Sequence, residues 1–80
     1  MYVHIGKDTI IFLKDIITIL DLEKMLLNKT LEQILKELNI EENIIDISDG
    51  NNKSLIIIEK NKKIIGYISN ISSTTIQKRI

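Results

Sequence analysis

Apolar positions recur along this chain with two different periods, and the change from one to the other marks its elements. Tyr2–Ile5 and Thr9–Leu13 are β-branched or aromatic runs separated by Gly6-Lys7-Asp8. A glycine followed by two polar residues between such runs predicts a tight hairpin. After Lys14-Asp15, the run Ile16-Ile17-Thr18-Ile19-Leu20 alternates poorly. Its β-branched density predicts a strand buried on both faces, with a helix as the alternative. The period then lengthens: Leu31, Ile34, Leu35 and Leu38 fall at i, i+3, i+4 and i+7, with Glu32, Lys36 and Glu37 opposite. That is one amphipathic helix. Asn28 can cap it, or Thr30 with Gln33 as a capping box two residues later, and Asn39 is its stop.

Beyond the helix the short period returns. Strands are expected at Ile44–Ser48, Ser54–Glu59 and Lys63–Ser69, joined by the Asp49-Gly50 loop and the Lys60-Asn61-Lys62 turn. Short connections predict antiparallel neighbours. Ser72 or Ser73 then caps a short terminal helix over Thr74–Arg79. The expected architecture is α+β: a small, mostly antiparallel sheet of about five or six strands, the amphipathic helix packed on it, and the short C-terminal helix.

Both parities of the late strands are apolar, Leu55 and Ile57 against Ile56 and Ile58, then Ile65 and Tyr67 against Ile64 and Ile68. One short helix covers part of one face, so the other face is expected to lack a cover. Soluble monomers rarely expose so large an apolar patch. A homo-oligomer is therefore expected, with Ile56, Ile58, Ile64 and Ile68 as candidate interface residues.

Composition narrows the function classes. At 80 residues with no cysteine, the chain is one domain that must be held by packing within or between subunits. Met1–Gly6 has neither a basic segment nor a long apolar core, and no apolar run approaches the ~18 residues that span a bilayer. A cytoplasmic protein without membrane contact is expected. The formal net charge is zero, which argues against a simple electrostatic nucleic-acid binder. The distribution is uneven: Glu41, Glu42, Asp46 and Asp49 stand together without a base, while the C-terminal third is basic.

Candidate chemistry is sparse. His4 is the single histidine, and no second histidine or cysteine can complete a zinc site with it. Asp46–Asn51 lacks the closing glutamate of a calcium loop. The sequence Gly50-Asn51-Asn52-Lys53-Ser54 lacks the spacing of a phosphate-binding loop and runs into a strand. Neither an enzyme nor a bound cofactor is expected.

Three stretches carry a resemblance. Met1–Asp8 with Lys14–Leu22, Lys53-Ser54 with the apolar strand that follows, and Tyr67–Ser69 with Ile71, Ser72, Thr74 and the ending Lys78-Arg79-Ile80, resemble the small bacterial extracellular-matrix (biofilm) regulators. Within them the RemB-like branch, related to RemA, is the nearer, and the likeness runs the whole chain. The resemblance implies a cytoplasmic transcriptional regulator that forms a ring-shaped homo-oligomer and binds DNA. It also implies that cations stand just before the Ile-Ile strand and after the loop glycine. Here those positions hold Asp15, and Asn51 with Asn52. The candidate DNA contacts are thus Lys14, Asn51, Asn52 and Lys53, the contact is expected to be weak, and the alternative is a protein-interaction module partnering a RemA-like regulator.

Overall fold

The most buried segment, Ser54–Lys60, is a central strand (β5), with Leu55, Ile56, Ile57 and Ile58 all within the interior of the computed structural model, which describes residues 1–80. It pairs antiparallel with Lys63–Ser69 (β6) through a two-residue turn, Asn61-Lys62, both at positive φ (52° and 66°). Two successive left-handed residues give the turn whose twist matches a hairpin. On the other side of β5 lies Ile16–Asp21 (β3), also antiparallel, and Ile44–Asp46 (β4) lies beyond β6.

The order is therefore β3-β5-β6-β4, with β4 parallel to β6. Sequential strands β4 and β5 were expected as antiparallel neighbours, and β6 separates them. The loop 47–53 steps over the end of β6, where Ile47 N–H donates to Ile68 O and Lys53 N–H donates to Ser69 O. A connection can cross one intervening strand when both its ends find carbonyls on that strand.

The expected N-terminal hairpin is present as Tyr2–Gly6 (β1) and Thr9–Phe12 (β2), with Lys7 and Asp8 at positive φ in its turn. It does not extend the main sheet. A single sheet of five or six strands is replaced by a two-stranded and a four-stranded one. The hairpin lies over the face carrying Ile56 and Ile58, and its Val3, Ile5 and Ile11 join them in one buried cluster with Ile47 and Ile76. Ile76 belongs to the terminal helix Ser73–Lys78 (α3), capped by Ser72. The opposite face, with Leu55, Ile57 and Ile68, is covered by Leu22 of a four-residue helix Leu22–Met25 (α1) and by Ile34 of Leu31–Glu37 (α2). The Thr30–Gln33 capping box forms, and Asn39 ends α2 at φ 57°.

The expected uncovered face thus has its cover within the chain. Cross-strand pairing also divides the four interface candidates. Ile56 and Ile58 share a cluster with Ile65 and Tyr67, whereas Ile68 packs in the other cluster together with Ile64. Ile56, Ile58 and Ile68 are 0, 2 and 1% exposed and spend their area inside one subunit. No helix is long and apolar enough to cross a membrane.

Candidate nucleic-acid interface

The β3–β5 ladder sets the distance between the candidate contacts. It runs from Ile16 opposite Ile58 to Asp21 opposite Ser54, roughly 15 Å at about 3.3 Å per residue. Lys14, in a 3-10 turn at Leu13–Asp15, stands at one end beside the β5–β6 turn. Asn51, Asn52 and Lys53 stand at the other, where the loop enters β5. The structure brings the three loop residues together and separates them from Lys14.

The loop is built around Ser48, whose side chain is fully buried. Its Oγ lies 2.6 Å from Asp46 Oδ1 and 2.7 Å from the Asn52 side-chain amide, and accepts from Gly50 N–H at 3.3 Å. One hydroxyl proton serves one acceptor. With that proton on Asp46, the Asn52 amide satisfies the cluster by turning its NH₂ toward Ser48. Asn51 N–H closes the turn on Ser48 O, and Asp49 and Gly50 adopt positive φ. Asn52 is committed to holding the loop, while the Asn51 side chain is exposed. Lys53 is half-buried, and its carbonyl accepts from Leu22 N–H and Glu23 N–H at the start of α1.

Charge at this loop end is mixed. Lys7, on the hairpin turn, reaches Asp49 at 3.2 Å, and both side chains are largely exposed. Such a pair is worth under about 1 kcal/mol, but it cancels a cation beside Lys53. Asp8, Asp21, Asp46 and Glu23 stand nearby in sequence and register.

The turn end is more basic. Lys60 and Lys63 are directly opposite each other across β5 and β6, an arrangement of like charges that costs a fraction of a kcal/mol. Lys62 lies between them in the turn, and Lys14 Nζ sits 5.6 Å from the Phe12 ring centroid. The molecule's two ion pairs are Lys7–Asp49 and Lys29–Glu37, so these four lysines are unpaired. Phe12 packs on Tyr2 with ring centroids 4.6 Å apart. Together they line a cleft of ≈ 340 Å³ with Ile10, Tyr67, Asp15 and Lys60. The lysines of the β5–β6 turn were missed from sequence as contacts. Their clustering with Lys14 depends on which strand lies beside β3, and no local pattern reveals that.

No three His, Asp or Glu side chains converge as a metal site would require. In comparisons with known proteins, residues 2–80 match a family model named RemA-like and described as extracellular matrix regulatory protein A-like. No curated protein matches the chain.

Proposed function

We propose that this chain, which belongs to the RemA-like family, is a non-enzymatic cytoplasmic regulator of extracellular-matrix genes that acts as a homo-oligomer and contacts DNA. Within the family we read it as RemB-like, from the residues at its two termini. The observation that carries DNA contact is the turn end: Lys14, Lys60, Lys62 and Lys63 gather there against Asp15 and Glu59, and none of the lysines is paired within the chain. These lysines neutralise phosphates without reading sequence. Lys53 with exposed Asn51 adds a second, weaker contact at the loop end. A subunit that neutralises only a few phosphates binds weakly. Several linked subunits along one duplex add those contacts through effective concentration.

The loop end favours a second reading, an oligomeric module that partners a related regulator and has lost DNA contact. Asp49 occupies Lys7, Asn52 is held by Ser48, and aspartate stands at position 15. Charge reversal separates the two. Under the DNA reading, Lys14→Glu and Lys62→Glu each weaken retention of an A+T-rich duplex about tenfold or more, and Lys53→Glu weakens it less. Binding unchanged in all three variants removes the assigned surface. Binding absent in the unmodified protein supports the protein-interaction module.

A further inference from the structure

The cleft at the turn end holds more chemistry than phosphate contact uses. Tyr2 and Phe12 of the hairpin, Tyr67 of β6, Asp15 of the 3-10 turn and Lys60 of β5 all line it. Its ≈ 340 Å³ falls in the range of small-molecule pockets, about 300–1,000 Å³. Packing does not account for its rings. The hairpin is fastened through its other face, by Val3, Ile5 and Ile11, whereas Tyr2 is 58% and Phe12 37% exposed. These two pair directly across β1 and β2, with ring centroids 4.6 Å apart. Aromatic side chains held together at a surface keep ring area open to a flat partner. Asp15 is half-buried in the same cleft and takes part in neither of the molecule's ion pairs. A carboxylate there repels a phosphate and accepts from an N–H donor.

We infer that this cleft binds a guanine nucleotide, with the base stacked on the Tyr2–Phe12 pair, its N–H edge on Asp15 and its phosphate on Lys60. Rings, carboxylate and cation together ask for a flat ligand that carries N–H donors on one edge and an anion at its end. Guanine offers adjacent ring and amino N–H donors that one carboxylate accepts side by side, whereas adenine offers its amino group alone. Stacking on aromatic side chains is the common means by which proteins hold an unpaired base. Lys60 keeps the phosphate-binding role given it above, and the phosphate here belongs to a nucleotide, either free or unpaired within a strand. The site shares that lysine with the DNA reading but stands on the rings and Asp15.

The chain supplies its own reporter. It has two tyrosines and no tryptophan, and both tyrosines line the cleft, so their ring signals in proton NMR read its occupancy. Titration with GMP should shift both sets of signals and saturate, with a dissociation constant below about 1 mM. AMP should bind more weakly, and inorganic phosphate should leave the tyrosine signals in place. Phe12→Ala, read on Tyr67, should weaken GMP binding about tenfold or more, and Asp15→Asn should erase the preference for GMP over AMP. Far-UV circular dichroism checks that both variants fold. A guanine-containing single-stranded oligonucleotide separates the two sources: binding tighter than GMP places the nucleotide within a strand, and binding no tighter places it free. Tyrosine signals that stay still at several millimolar GMP, that follow phosphate alone, or that respond equally after Phe12→Ala overturn the site. Duplex binding that persists in such a case leaves the DNA reading standing, while GMP binding by a protein that retains no duplex keeps the site and removes that reading.

Discussion

Replacing Ser69 by alanine should remove the fastening between the hairpin and the sheet. Ser69 is fully buried on β6, where its Oγ–H donates to Ile5 O at 2.5 Å and its oxygen accepts from Ile71 N–H at 3.0 Å. Ile5 is the extra residue in the β1–β2 register shift, and its own side chain is fully buried. Alanine fills nearly the same volume, so packing changes little. The Ile5 carbonyl and the Ile71 amide both lose their hydroxyl partner. A buried group left unsatisfied costs about 1–3 kcal/mol, so two such groups cost about 2–4 kcal/mol after partial relaxation. A domain of this length has a total stability of about 4–12 kcal/mol. The loss should lower Tm by about 10–25 °C, measured at one fixed protein concentration because oligomerisation shifts the midpoint. Hydrogen exchange should also quicken first in β1 and β2, which are the segments released. A loss below about 0.5 kcal/mol, or exchange that quickens in β5 as early as in β1, refutes the reasoning.

Three other substitutions probe separate parts of the account. Lys62→Gly places glycine at φ 66° in the β5–β6 turn and should stabilise the fold by about 0.5–1 kcal/mol in urea titration. Gly66→Ala should destabilise by about 1–3 kcal/mol, because a Cβ there would lie 2.8 Å from Ile44 Cδ1 and 3.1 Å from Ile40 Cδ1. Ile76→Ala, at a fully buried position of α3, should cost about 2–5 kcal/mol on the same assay.

What could be read from the residues follows from how far each signal reaches along the chain. The Gly6-Lys7-Asp8 turn, the Thr30–Gln33 box and the Asn39 stop depend on neighbours within a few positions, and each stands where the pattern put it. Helix α1 escaped notice because four residues are too few to show a period. The parity of Leu55–Ile58 correctly indicated that both faces are apolar. It could not say that a hairpin distant in sequence packs on one of them. Strand order was hidden for the same reason: the loop from β4 is short, yet it bridges β6. At the candidate interface, residue type marked Asn52 as a possible contact, and only the fold shows that Ser48 already holds it. The turn-end lysines are the converse case, unremarkable in sequence and gathered by register.

The central claim is that an oligomer of this RemA-like chain meets DNA through its lysines. It is tested most directly by the salt dependence of binding to an A+T-rich duplex. Each phosphate neutralised contributes a slope of about −0.9 to log K against log salt. An oligomer presenting several turn ends to the duplex predicts tight binding at about 50 mM salt and a slope of several units, made shallower by Lys62→Gln. No detectable binding at about 50 mM salt, or a slope near zero, would contradict it.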